Sequence, residues 1–223
     1  MRRRAVLSLL SMLTLPLAAC VSSPAQFAKT DIDRIAEMYR REVDASLQRL
    51  AEKLYRRNPR EWRKSGHASM EAAITHLFDP RLTWVPTLEG KRGVEAIAAC
   101  FRDDFQGDRV AALIGGMGGM VNSAFNGQAG TYVLDDLDPQ KLYNSARNIE
   151  IAAWKLANAR DAAGNLLLLS NEMQPAQNLS FEREFGKLIG NLDLLSRIIA
   201  DKTRRTVSRE AASAAFLPVP IPQ

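Results

Sequence analysis

Residue types that carry chemistry are scarce in this chain. It has two cysteines and two histidines among 223 residues, and aromatic residues make up 7% of the total. It contains neither the Gly-x-Ser-x-Gly turn of serine hydrolases nor the His-Glu-x-x-His pair of zinc peptidases. We therefore predict a protein that is not an enzyme and that uses no metal and no cofactor. An active site would have to come from Glu, Asp, Tyr or Ser residues that folding brings together.

The chain also lacks the run of about 20 apolar residues that a membrane-spanning helix needs. Its first twenty residues are MRRRAVLSLLSMLTLPLAAC. Arg2, Arg3 and Arg4 precede an apolar core from Ala5 to Pro16, which is too short for a permanent span. A basic segment, a short apolar core and then small residues are typical of a secretory signal.

The end of this segment, Leu17-Ala18-Ala19-Cys20, resembles the lipobox of bacterial lipoproteins. The resemblance implies cleavage before Cys20 and acyl chains, palmitate among them, on its thiol and on the new amino terminus. Two or more chains anchor a protein stably, at about 0.8 kcal/mol per buried CH₂. Val21 follows, where lipoproteins kept in the inner membrane have aspartate, and this implies the outer membrane. The blocks NLSFEREFGKLIG, IIADKTRR and FLPV are similar to small proteobacterial lipoproteins, a likeness that implies no site.

Strong positive charge is absent from the mature chain. Cleavage removes three arginines and no acidic residue, so the formal net charge falls from +5 to +2. Because nucleic-acid-binding domains are usually strongly basic, we predict no nucleic-acid partner. Once Cys20 is acylated, Cys100 is the only thiol, and no internal disulfide can form. Cys100 lies in the apolar pattern VEAIAACF and is predicted to be buried rather than nucleophilic.

One stretch, residues 110–125, has no charge and four glycines, and its sequence is VAALIGGMGGMVNSAF. At helical spacing Ala111, Gly115, Gly119 and Ser123 form a stripe of small side chains, which we call the glycine stripe. The flanking residues are mostly apolar, so we predict a helix in the middle of the domain. Two interpretations of the stripe stay open. It packs against another helix of the same chain, as is common in soluble domains, or it drives self-association.

Apolar residues at steps of three and four predict helices along most of the remaining chain. Long helices are expected from Thr30 to the Asn58-Pro59 break, from Pro139 to about Arg160, and from Ser180 to about Arg205. Shorter ones are expected after Pro59, over 69–78 and over 94–105. Residues 82–85 read as a short extended segment, and the apolar run 166–169 fits either a strand or a helix.

The first predicted helix has a basic face that continues past its end. The candidates for contact with anionic lipid head groups or envelope polymers are Arg40, Arg41, Arg56, Arg57 and Arg60. Each cation near such a surface contributes about 1 kcal/mol. Because acidic residues are interspersed, a solvated helix face explains the same pattern.

Two groups of residues resemble metal ligands without their spacing. His67 and His76 are nine residues apart, which does not place both on one helix face. Asp135, Asp136 and Asp138 lack the spacing and the closing glutamate of a calcium loop. Asp138-Pro139 instead predicts a helix cap and a first helical residue.

These patterns predict an all-α fold: an irregular single-domain helical bundle with a central glycine-rich helix. The predicted organisation is a signal over 1–19, a lipid-anchored tether over 20–29, a helical domain over 30–215 and a Pro-rich extended tail over 216–223. We expect an envelope lipoprotein, anchored through acyl chains on Cys20 and facing the periplasm, that acts as a non-enzymatic scaffold or accessory binding protein for an envelope protein or polymer. The alternatives are an enzyme with a carboxylate or tyrosine site, and a self-assembling or membrane-perturbing protein that uses the glycine stripe.

Overall fold

The computed structural model describes residues 31–79, 88, 90–127, 137–172, 176–204 and 207. Over these residues it has seven helices and no paired strands beyond two isolated bridges. The helices are α1 Asp31–Arg57, α2 Pro59–Lys64, α3 Met70–Leu77, α4 Gly93–Cys100, α5 Arg109–Ala124, α6 Pro139–Asn158 and α7 Ser180–Thr203. The predicted all-α class is confirmed.

Several sequence predictions concern residues outside this range. They are the signal, Cys20 and the tether, the extended segment 82–85, Asp135 and Asp136, and the Pro-rich tail. Within the part of the chain that the structure describes, none of the helices combines the length and the apolar character needed to cross a membrane.

The four long helices form an up-down-up-down bundle. In chain order α1, α5, α6 and α7 each pack against the next, and α7 packs back against α1. Tyr55, near the end of α1, donates a hydrogen bond to Asp108 at the start of α5, whereas Arg40 reaches Asn122 near the end of α5. These two contacts make α1 and α5 antiparallel. Such bundles bury one apolar stripe of each helix in a shared core.

The same antiparallel arrangement holds for α7 and its two neighbours. Arg49 in α1 forms a salt bridge of 3.0 Å with Glu184 in the second turn of α7. Ser196, near the other end of α7, donates a 2.7 Å hydrogen bond to the carbonyl of Pro139 at the start of α6. The starts of α1 and α6 and the ends of α5 and α7 therefore lie at one end of the bundle.

Helix α5 is the most enclosed element, as its composition predicts. Twelve of its sixteen residues are buried. Helix α4 packs against it with a close backbone approach at Gly116, where an added Cβ would lie 2.7 Å from the carbonyl oxygen of Gly93 and 2.9 Å from the amide nitrogen of Ile97. Only glycine allows this separation of the two backbones.

Three helices begin at a side chain that accepts hydrogen bonds from the first turn. Asp138 accepts from the amides of Gln140 at 2.9 Å and Lys141 at 3.4 Å, which confirms the predicted cap of α6. Ser69 caps α3 and Asp108 caps α5 in the same way. Each such cap stabilises its helix by about 1 kcal/mol.

The connection between α6 and α7 is held to the opposite end of the bundle by Asn58. Its Oδ1 accepts a 2.7 Å hydrogen bond from the amide of Leu169, and its Nδ2 donates one of 2.9 Å to the carbonyl of the same residue. The apolar run 166–169 is not helical, and its strand-like pairing is limited to the isolated bridge between Leu166 and Arg160. Leu168 is buried, whereas Leu169 is exposed.

Two large apolar side chains at helical spacing, Trp154 and Ile35, are exposed. Trp154 is 43% exposed because the buried stripe of α6 passes through Ala153, and successive residues of a helix differ by about 100°. Ile35 is 38% exposed because the neighbouring Ala36 takes the buried position in α1.

Gly186 and Gly190 weaken α7 without a packing reason. Both are exposed, and an added Cβ would meet no atom within 4 Å at either site. Replacing Gly186 by alanine should raise the free energy of unfolding by about 1 kcal/mol, as should the same change at Gly190, since alanine is the better helix former. Urea denaturation measures the change. Gly164→Ala is the control: its surroundings are equally open, but its φ of +83° disfavours alanine, so this variant should lose stability.

Candidate functional site

A cleft of about 580 Å³ opens between the start of α4, the second half of α5 and the first half of α6. We call it the polar cleft. Its volume falls within the range of about 300–1,000 Å³ that is usual for small-molecule sites. It lies at the end of the bundle where α1 begins, because Arg40 of α1 reaches Asn122 at its wall.

The floor of the polar cleft is made by the glycine stripe. Gly115, Gly119 and Ser123 line it, whereas Ala111 lies near the start of α5 and is buried. At Gly119 an added Cβ would make only ordinary contact, 3.7 Å from the amide nitrogen of Gly93. The close crossing with α4 uses Gly116, on the adjacent face of the helix. The stripe thus leaves helix backbone accessible to a ligand in the cleft.

Carboxamide side chains form much of the wall. Asn122 Oδ1 accepts from Nη1 and Nη2 of Arg40, each at 3.4 Å, and Asn144 Oδ1 accepts from Nε2 of Gln140 at 2.8 Å. Because an arginine can only donate, its position fixes the oxygen of Asn122 on that side. The Nδ2 groups of Asn122 and Asn144 are then the donors that each side chain presents elsewhere.

The charged residues of the polar cleft are Arg92, just before α4, and Lys141, in the first turn of α6. No carboxylate, histidine or thiol occurs among the lining residues that the structure describes. Arg40 lies behind Asn122, where Asp44 neutralises it through two hydrogen bonds of 2.9 and 3.0 Å. The cleft therefore combines positive charge with many hydrogen-bond donors.

No family model matches this chain. None of the curated proteins or solved structures matches it either. The function of the polar cleft has to be inferred from its own geometry.

Titratable groups converge at a different place, the start of α5, in what we call the cap cluster: Tyr55, Glu61, Asp108 and Arg109. Asp108 Oδ1 accepts from the amide of Ala111 at 2.9 Å, and its Oδ2 accepts from the Tyr55 hydroxyl at 2.8 Å. Glu61 Oε2 accepts from the amide of Arg109 at 2.8 Å. These hydrogen bonds fix the start of α5. Because all four residues are buried, the cluster is closed to substrate.

Burial raises the pKa of two members of the cap cluster, Asp108 and Tyr55. It raises the pKa of Asp108 above its usual value, although hydrogen bonds from the Ala111 amide and Tyr55 oppose the shift. The pKa of Tyr55 is raised as well, by burial first and then by the charge of Asp108. Both groups are thus biased toward their neutral forms.

Cys100 is fully buried beneath α5, as predicted. Burial raises the pKa of its thiol far above the usual range, against the opposing charge of Arg109. The thiol is therefore protonated at neutral pH and has no nucleophilic character there.

The two histidines are closer than their spacing in sequence suggests. The ring centroids of His67 and His76 lie 5.0 Å apart, because the turn before α3 folds back on that helix. Across the described ranges, however, no group of three His, Cys, Asp or Glu side chains is placed to hold a metal ion.

Three of the five basic candidates form salt bridges with acidic residues of the same chain. Arg40 pairs with Asp44, Arg56 with Glu52, and Arg57 with Glu172 at 3.0 Å. The other two candidates, Arg41 and Arg60, are exposed. The basic face is thus largely a network of surface ion pairs, which leaves fewer cations to meet an anionic surface.

A second cavity of about 670 Å³ lies between the start of α6 and the end of α7. Arg147 projects into it, forms salt bridges with Asp193 at 2.5 Å and Glu150 at 2.9 Å, and stacks over the ring of Tyr143. Arginine and aspartate side chains both line this cavity and largely compensate each other's charge. It therefore favours an anionic ligand less than the polar cleft does.

The sequence does not predict the walls of the polar cleft. Arg92, Asn122 and Lys141 belong to three separate segments, which only the fold brings together. One signal was available: Ser145 and Asn148 are polar residues beside the apolar stripe of α6, and both are buried. Buried polar residues in a helix often mark a site or a structural hydrogen bond.

Proposed function

We propose that this chain is a lipid-anchored, non-enzymatic binding protein of the bacterial envelope, and that the polar cleft is where its partner or ligand is held. Acyl chains on Cys20 keep the helical domain at the membrane, and the domain faces the periplasm. The outer membrane is the proposed location, given Val21.

The observation that carries the binding role is the composition of the cleft. Its wall offers carboxamides and cations around a glycine floor. The buried carboxylates lie elsewhere, Glu61 and Asp108 in the cap cluster at the far end of α5 and Glu184 in α7, where it pairs with Arg49. A serine or lysine nucleophile needs a general base beside it, and the described lining residues include Ser123, Ser145 and Lys141 but no carboxylate or histidine to act as that base. The arrangement favours holding a ligand over transforming one.

The anchor is tested by Cys20→Ser. We expect the variant to remain unprocessed or to leave the lipid-anchored fraction, because serine cannot carry the thioether-linked acyl chains. Fractionation of envelopes together with mass analysis of the amino-terminal peptide measures both effects. Cys100→Ala is the matched control, since it removes the other cysteine and should fractionate as the natural chain does. If Cys20→Ser is processed and fractionates unchanged, the proposed function is wrong.

Self-association through the glycine stripe is the alternative with a structural basis, because Gly119 and Ser123 remain accessible. The stripe lies at the bottom of a cleft, so a second copy would have to insert a ridge into it. Gly119→Leu should then abolish oligomers and leave a folded monomer. A natural chain that sediments as a monomer contradicts this alternative.

A further inference from the structure

We infer, on the basis of the proposed binding role, that the polar cleft recognises an oxyanion, the carboxylate or phosphate group of a small polar ligand. The cleft is a built cavity with charge of one sign among its described lining residues, Arg92 and Lys141. A recess lined by one sign of charge concentrates ligands of the opposite sign.

The hydrogen-bond donors point to the same class of ligand. Arg40 occupies the oxygen of Asn122, and Gln140 occupies the oxygen of Asn144. Because arginine can only donate, the NH₂ group of Asn122 is the part available to a ligand, and the NH₂ group of Asn144 takes no part in its contact with Gln140. Donors of this kind pair with acceptor oxygens, and cations beside them strengthen such bonds when the acceptor is charged.

Two features of the backbone agree with this assignment. Helix α4 begins at the cleft, and Arg92 at its N-cap position makes no side-chain cap, so the amides of the first turn lie beside the cations, with the exposed Glu95 of the same turn offsetting part of their charge. The nearest acidic cap, Asp138, is already engaged by the first turn of α6.

The test is a calorimetric titration of the mature anchored protein in neutral detergent. Citrate and inorganic phosphate are the probes, with ionic strength held constant by NaCl. We expect saturable binding of at least one probe. Lys141→Gln should weaken it about tenfold, which corresponds to the loss of one charge-assisted hydrogen bond.

A second variant replaces the NH₂ group of Asn122 and should leave the protein folded. Asn122→Asp keeps an acceptor for Arg40 and places a negative charge in the cleft, so it should also weaken binding about tenfold or more while the melting temperature is retained. Arg183→Gln is the control for net charge, because Arg183 is exposed in the first turn of α7, at the other end of the bundle. It should bind as the natural chain does.

Short-chain phosphatidylglycerol, used below its micelle concentration, distinguishes the two sources of phosphate. Tighter binding than inorganic phosphate, with competition between the two, identifies a lipid head group; binding of citrate or phosphate alone identifies a soluble anion. The inference is overturned if none of the probes binds, or if Lys141→Gln and Asn122→Asp bind them as the natural chain does. Either result leaves the lipid anchor standing, since the Cys20→Ser experiment tests the anchor independently of any ligand.

Discussion

Replacing Asp108 by alanine is expected to lower the free energy of unfolding by about 3 kcal/mol. Two losses add up. The amide of Ala111 loses its side-chain acceptor, which costs about 1 kcal/mol, and the buried hydroxyl of Tyr55 is left without its 2.8 Å acceptor, which costs about 2 kcal/mol more. Urea denaturation followed by circular dichroism measures the change.

The conservative variant separates these losses from the effect of charge. Asp108→Asn keeps an oxygen for the Ala111 amide and offers an NH₂ group to the Tyr55 oxygen, so most of the stability should return. Tyr55→Phe removes only the hydroxyl and should cost less than Asp108→Ala. If Asp108→Asn is as unstable as Asp108→Ala, the hydrogen bonds of the cap cluster do not account for the loss.

The raised pKa of Asp108 also predicts a direction with pH. Its folded value lies above its unfolded value, so the native state keeps the proton longer as pH rises. Stability therefore falls as pH rises from about 4 through the raised pKa. Asp108→Asn lacks this titration. The difference in unfolding free energy between the natural chain and Asp108→Asn should consequently move in favour of the variant across this window, and a constant difference would contradict the assignment.

Gly116→Ala is expected to destabilise the bundle by about 3 kcal/mol, even though alanine is the better helix former. The new methyl group would lie 2.7 Å from the Gly93 oxygen and 2.9 Å from the Ile97 nitrogen, and backbone atoms cannot rotate away. Overpacking of this kind costs about 1–3 kcal/mol, and we place this site at the upper end because α4 has to shift as a unit.

Gly119→Ala is the matched control for this variant. It lies three residues away on the same helix, and its methyl group would make ordinary contact at 3.7 Å. It should be neutral or stabilising by up to about 1 kcal/mol. Thermal and urea melts of the two variants measured side by side test the difference, and equal stability of the two would mean that α4 does not pack on Gly116 as described.

The contrast between Gly116 and Gly119 shows which features of the helix packing can be predicted from the sequence. Four glycines without charge predict an enclosed helix, and α5 is one. Spacing by four selects the stripe of Gly115 and Gly119, but the partner helix crosses at Gly116. Periodicity identifies a face of small residues, whereas the position of the crossing depends on where α4 is placed by its own connections.

Local signals predict capped helix starts well, because a cap depends on neighbouring residues, whereas the helix predicted over 94–105 ends at Cys100. Asp138 before Pro139 is an example, and its side chain holds the first turn of α6. The clamp of Asn58 on Leu169 joins residues 111 positions apart, and no local pattern contains it. The polar cleft belongs to the same class, since Arg92, Asn122 and Lys141 meet only after the bundle has closed.

The antiparallel order of the helices determines how far from the proposed anchor the polar cleft lies. Because the polar cleft lies at the end where α1 begins, it is on the same side as the tether from Cys20. Eleven residues reach at most about 40 Å when fully extended. With the proposed anchor, the start of α1, and with it the end of the bundle that carries the polar cleft, therefore stays within about 40 Å of the lipid.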